Sequence, residues 1–327
     1  MIRRDAAHRA SLRVCDPHFR AFAENPRGRV HSVYERAFNL WDGSDLYAVV
    51  AGAGYAAPYT GAVDENGFTG KLVRVGDSVE GRFPVIRIGS GLVLDCRRVR
   101  VSGERQWTQR EWETDGGGRL PAESAQECAQ NLASGIARYR LYLKNQDIRK
   151  GCAYFFRRDC SGEILPDPGI LQEEMNRRLW ALLRSAGEPE RFAAAGQRLV
   201  GAGMGLTPAG DDFLCGILAA LNCCERTVSL RAALAGGLNR PEVLAATTAV
   251  SRQMLKAYLN GENSLLNRRL AACFLTGGRE MEEIMKLVEG IGHSSGIDFS
   301  AGLAVGFCLV LNRIETITGV TACTRKQ

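Results

Sequence analysis

"LVGAGMGLTPAGDDFLCG", residues 199–216, decides how the second half of this chain is read: three glycines lead into a threonine and a proline, and a fourth into two adjacent carboxylates. Gly201, Gly203 and Gly205 permit positive φ and let a ligand approach bare backbone amides. Thr207 suits a helix cap and Pro208 the first turn behind it. Amides left unpaired there, together with the helix dipole, would hold an anion. The stretch is not a Walker loop, because Asp211 and Asp212 stand where a Lys-Ser/Thr pair is needed. Nor is it a dinucleotide fingerprint, since the residues before it read as helix rather than strand.

A shorter echo follows at 287–302, "LVEGIGHSSGIDFSAG". Both segments begin Leu-Val, pass through a glycine loop and close with Gly-x-Asp-Phe-x-x-Gly, "GDDFLCG" at 210–216 and "GIDFSAG" at 296–302. This predicts an internal helix-loop-helix repeat. Asp212 with Gly216, and Asp298 with Gly302, are each four apart on one helix face, and a glycine there lets another helix approach closely. If the copies pack face to face about a pseudo-twofold, both loops and both carboxylates converge. Asp211, Asp212 and Asp298 would then grip a cationic or amide group, or a hydrated Mg²⁺.

The plainer alternative stays open: Thr-Pro and Ser-Ser before acidic residues also make good helix caps with carboxylates complementing the dipole. His293 lies in the second loop, where it is either structural or a proton-transfer group. His8, His18 and His31 receive no role. Thr247, Thr248, Ser251 and Arg252 form a polar patch on an otherwise apolar helical pattern; the hydroxyls either bond back to the preceding turn or meet a ligand. Cys215, Cys223 and Cys224 read as core, with no neighbouring base to make a thiolate.

Outward from these loops the apolar period is helical, at roughly 168–186, 189–200, 207–224, 240–260, 264–275, 279–290 and 295–312. Another helix covers "PAESAQECAQNLASGIARYRLYLKNQ", with Cys128, Leu132, Ile136, Tyr139 and Leu143 on one face, and "GCAYFFRRDCSGEI" at 151–164 reads as an inserted hairpin. Before residue 115 the period is two. The runs "RVHSVYERAFNLW", "LYAVVA", "KLVRV", "FPVIRI", "GLVLDC" and "RRVRV", with turns at "DENG" (64–67) and "GSG" (89–91), predict an antiparallel barrel or sandwich of about six strands. "TDGGGRLPAES", 114–124, marks the boundary. The expectation is an α+β protein with a β-rich domain over 1–115 and an all-α domain over 120–327 that carries the repeat.

Composition narrows the function classes. A net charge of +6 spread among scattered arginines, with acidic residues interspersed, is not a nucleic-acid footprint, although several arginines suit an anionic small substrate. The eleven cysteines show neither a disulfide framework nor metal spacing. The first residues lack a signal-peptide core and the longest apolar runs, near 213–224 and 301–311, look too short for a bilayer, so the expected location is cytoplasmic with no membrane partner.

With "GLTPAGDD" at 205–212 and "GHSSGID" at 292–298 assembled, the chain resembles the bacterial family of the small third subunit of the anaerobic oxamate carbamoyltransferase of allantoin catabolism, a route of purine degradation. The resemblance implies phosphorolysis of oxalurate to oxamate and carbamoyl phosphate, in a complex with two larger subunits, one of them similar to succinyl-CoA synthetases. It implies that Gly203, Gly205, Thr207, Gly210, Asp211, Ser294, Ser295, Gly296, Thr248 and Ser251 bind a small anionic substrate: phosphate, carbamoyl phosphate, oxamate or oxalurate. Asp212, Asp298 and His293 would carry the chemistry, Asp211, Asp212 and Asp298 would hold Mg²⁺ if it is used, and no other cofactor is expected. The Ser-x-Arg-Thr loop of classical carbamoyltransferases does not occur here. The alternative is a noncatalytic assembly or small-molecule-sensing subunit.

Overall fold

The computed structural model describes residues 7–52, 57–64, 72–102, 125–148, 151–167 and 169–318. Two compact units emerge: Met1–Arg105 with Glu262–Leu266, and Gln106–Gly261 with Asn267–Gln327. The 114–124 boundary, and all but the first residue of the 64–67 turn, lie outside the described residues.

The first unit is a mixed β-barrel. Its strands are β1 (His8–Cys15), β2 (Arg27–Val33), β3 (Ala37–Trp41), β4 (Leu46–Ala51), β5 (Thr60–Val63), β6 (Ser78–Arg82), β7 (Val85–Ile88), β8 (Leu92–Asp95) and β9 (Arg100–Val101). They run in the order β5-β4-β3-β2-β6-β7-β8-β1-β9, and pairing of β5 with β1 closes the barrel. The expected antiparallel arrangement is corrected at three pairs, β1 with β8, β1 with β9 and β4 with β5, which are parallel. The strand expectation also missed β1, whose Ala10, Leu12 and Val14 alternate inward. Another correction concerns "KLVRV", whose described residues 72–75 form no strand. Immediately after β1, Asp16 accepts from the amides of His18 and Phe19 and Pro17 fills the first turn, which starts α1 (Pro17–Glu24). Phe19 of α1 is wholly buried, and the missing side chain of Gly61 makes room, since a Cβ there would stand 2.8 Å from its ring.

The second unit is helical: α2 (Ala125–Lys144), α3 (Cys152–Phe155) with a π-helical turn (Phe156–Cys160), α4 (Ile170–Arg184), α5 (Pro189–Gln197), α6 (Ala209–Asn222), α7 (Val228–Leu238), α8 (Pro241–Leu244), α9 (Ala249–Leu259), α10 (Leu265–Leu275), α11 (Met281–Val288) and α12 (Ser295–Thr318). On α2 the predicted face is the buried one at Leu132, Ile136, Tyr139 and Leu143. The 151–164 hairpin is corrected to helix. Its Cys152–Phe156 run looks strand-like in composition, yet Phe155 packs edge-on to Trp180 and Phe156 against Tyr139, so tertiary burial overrides propensity. Helix α7 was missed because its Gly236-Gly237 pair reads as a turn; Gly237 instead allows contact with Ala193 of α5. The predicted 240–260 helix is broken, because the Thr248 hydroxyl caps a fresh start at α9 by accepting from Ser251 N.

Helices α6 and α12 are buried on nearly every side and form the centre of this unit. By length and composition Ser295–Asn312 would suffice to cross a membrane, contrary to the expectation that no run is long enough; 72% of it is buried inside the protein, as in the core helix of a globular bundle.

Candidate functional site

The repeat predicted from the glycine loops is realised as two central helices that touch through their glycines. A Cβ on Gly216 of α6 would stand 2.2 Å from the Phe299 carbonyl oxygen, and one on Gly302 of α12 would stand 2.0 Å from that of Phe213. Real Cβ atoms do not come so close, so only glycine permits this crossing. The relation is reciprocal: Phe213 corresponds to Phe299 and Gly216 to Gly302 at the repeat offset, as a pseudo-twofold requires. Gly210 and Gly296 are likewise equivalent, each pressed onto the end of the preceding helical segment at Leu199 O and Val288 O.

This crossing brings the first turns of α6 and α12 together, and with them Asp212 and Asp298, which are 2% and 1% exposed. One oxygen of Asp298, Oδ1, accepts from the Cys152 amide at 2.7 Å. Its other oxygen and Asp212 Oδ2 are fully enclosed and have no hydrogen-bond partner. Burial first, and then the charge of Asp298, push the Asp212 carboxyl well above the usual carboxylate range, against hydrogen bonds from Ser295 and Thr207. Burial also pushes Asp298 up to about 6, opposed by bonds from Cys152 and Ser294. Desolvation thus raises both carboxyls, and no cationic residue is among the influences on either.

Asp211 behaves differently, although it is adjacent in sequence and equally buried. Its Oδ1 accepts from Gly201 N at 2.8 Å, and its Oδ2 accepts from Ser251 Oγ at 2.6 Å and from the Thr247 hydroxyl. It ties the start of the glycine loop to the start of α9. Thr248 performs a similar service, capping α9 while donating to Leu206 O at 2.5 Å. Thus Thr247 and Ser251 bond to Asp211 of α6 and Thr248 to the loop, whereas Arg252 bonds to the nearby carbonyls of Leu244 and Thr247.

The two loops meet at Thr207 and Ser295, whose hydroxyl oxygens are 2.5 Å apart. Thr207, expected at the cap, is instead a cross-loop contact, and Pro208, expected in the first turn, occupies the cap position without a side-chain hydrogen bond. Gly203 and Gly205 are exposed with φ of 113° and 106°, and Met204 between them is 84% exposed. The amides of Gly210 and Gly296 are spent on Ala202 O and Ile291 O. His293 and Ser294 are exposed on the turn before α12.

Sequence reasoning missed Gly151, Cys152 and Gln172. Gly151 has φ of 84°, and a Cβ on it would reach within 2.6 Å of Asp298 Oδ1. Gln172 of α4 holds the Gly151 peptide group on both sides, accepting from its N–H at 2.6 Å and donating to its C=O at 3.0 Å. The only signal in the sequence was a glycine ahead of an aromatic run.

Among the described residues no three His, Cys, Asp or Glu side chains gather as a metal-ligand set. Of the three carboxylates considered for Mg²⁺, Asp211 has already committed both oxygens to protein donors. The arrangement does not fit a resident hexacoordinate cation.

Comparison with known proteins adds a family. The profile described as oxamate carbamoyltransferase subunit AllH matches residues 199–307, and that of the AllH family N-terminal domain matches residues 10–101, together more than half of the chain. No curated protein and no solved structure shows significant similarity to it.

Proposed function

We propose, since this chain belongs to the family of the oxamate carbamoyltransferase subunit AllH, that it binds the small substrate of that complex at the paired N-termini of α6 and α12. The reaction assigned is oxalurate plus phosphate to oxamate plus carbamoyl phosphate, in a cytoplasmic assembly with two larger subunits, one similar to succinyl-CoA synthetases. The observation that carries this reading is the pair of buried, unpartnered oxygens at Asp212 and Asp298, because an unsatisfied buried carboxyl costs several kcal/mol of order unless something completes it. Gly203, Gly205 and Ser294, exposed beside the Thr207–Ser295 contact, are assigned to the anionic end of the ligand, which would part that contact on entering. When the carbamoyl C–N bond of oxalurate breaks, the departing nitrogen needs a proton, and the Asp212 carboxyl, raised by burial, is assigned as its source. His293 is assigned proton exchange with water.

Titration of the purified protein with phosphate, carbamoyl phosphate, oxamate and oxalurate tests this, repeated on Asp212→Ala and Asp298→Ala. Binding that both substitutions remove supports the shared site. Unchanged binding in either variant would end it. A noncatalytic assembly role draws on a different observation, the nearly full exposure of Ile164, Ile170 and Leu171, which suits docking of another subunit.

A further inference from the structure

The pair has a chemistry more specific than its acidity. The Cys152 amide anchors Asp298 Oδ1, and the Thr207 and Ser295 hydroxyls, in contact with each other, act on Asp212 to favour its ionised form. The Gly151 peptide, clamped by Gln172, fixes the position of that amide. What remains free is one oxygen from each residue, Asp212 Oδ2 and Asp298 Oδ2, both shut away from solvent. We propose that these two oxygens read the uncharged carboxamide edge of a ligand and so decide which end of it enters.

The proposal rests on the binding site assigned above and adds its selectivity. With one oxygen of each buried carboxyl unpartnered, the pair presents one O–H donor and one oxygen acceptor to a ligand whenever one of the two is protonated. A carboxamide presents the complement, an N–H donor and a carbonyl acceptor on adjacent atoms, so both free oxygens are satisfied with no net change in charge. A carboxylate end offers only acceptors, and would have to bring a second proton or repel the ionised partner. A divalent cation would instead expel that proton. A molecule with an amide at one end and a carboxylate at the other is therefore oriented, amide inward and carboxylate toward the exposed glycine loop.

Calorimetry of the full-length protein near neutral pH, in two buffers of different ionisation enthalpy, separates these cases, with oxamate, oxalate and Mg²⁺ as the probes. The expected result is oxamate binding with no net proton exchange and oxalate weaker by about a hundredfold or more, since an acceptor replaces a required donor. Asp212→Asn should keep oxamate within about tenfold, because one amide facing one carboxylate mimics the one-proton pair, whereas Asp212→Ala should lose it. Oxalate or Mg²⁺ binding as tightly as oxamate, with proton uptake or release and loss in Asp212→Asn, would overturn the carboxamide assignment while leaving the site in place. Failure of all three probes to bind, or oxamate binding untouched in Asp212→Ala, would remove the site and the inference together.

Discussion

The two copies of the repeat differ at one position that matters. The first reads Gly-Asp-Asp-Phe and the second Gly-Ile-Asp-Phe, so that Asp212 corresponds to Asp298 across the pseudo-twofold while Asp211 corresponds to Ile297. The matched aspartates each retain a free oxygen. The unmatched one has every oxygen engaged, holding a loop that is longer by two residues in the first copy. The carboxyl common to both copies lies on the symmetry relation, and the extra carboxyl braces the longer loop.

The comparison is broken most severely at its glycines. Gly216→Val or Gly302→Val is expected to cost about 4 kcal/mol or more, because the new side chain meets backbone rather than a movable side chain. Denaturant unfolding checks this, and a loss below about 1 kcal/mol would show that the helices do not cross through these residues. Next comes Asp211→Ala, expected to cost about 3 kcal/mol by stranding buried donors from Gly201, Thr247 and Ser251. Asp212→Asn, its neighbour, should by contrast leave stability unchanged or raise it. Equal losses in the two variants would erase the distinction between brace and site.

A smaller effect is set by pH. Asp298 has its folded-state value raised from 3.8 to about 6, so across that window the folded protein keeps a proton that the unfolded chain has released. Its contribution to stability is complete below the lower value and is lost as pH rises through the upper one, by at most about 3 kcal/mol. Urea midpoints measured across this range should fall with pH in the wild type and fall less steeply in Asp298→Asn, where the Asp212 carboxyl, raised chiefly by burial, still contributes. A wild-type midpoint that rises instead would mean that the carboxyl is stabilised in its ionised form. Smallest is Thr207→Val, which removes the hydroxyl contact to Ser295 for about 1 kcal/mol or less. Losing that donor to Asp212 should also move the pH midpoint upward; an unmoved midpoint would detach Thr207 from the pair.

The crossing of the two central helices was legible in the sequence. The spacing of Asp212 to Gly216 and of Asp298 to Gly302 predicts a shared face and a close helix crossing, because the helical period fixes which residues coincide. Gly151, Cys152 and Gln172 were illegible, since they reach Asp298 through backbone groups that carry no residue-specific mark. In the β-unit, alternation revealed strands, yet parallel pairing of β1 with β8 depends on which distant segments meet.

The sequence by itself determined the α+β class, the duplicated loop-helix unit and the family, all of which reside in local periodicity and short motifs. Only the tertiary structure decided which carboxylates are free. Asp211 and Asp212 are the same residue type, adjacent and alike in local propensity; what separates them is the set of donors brought from α9 to one and the apposed Asp298 brought by α12 to the other. Hydrogen-bond satisfaction and desolvation are properties of the packed neighbourhood, and no spacing along the chain encodes them.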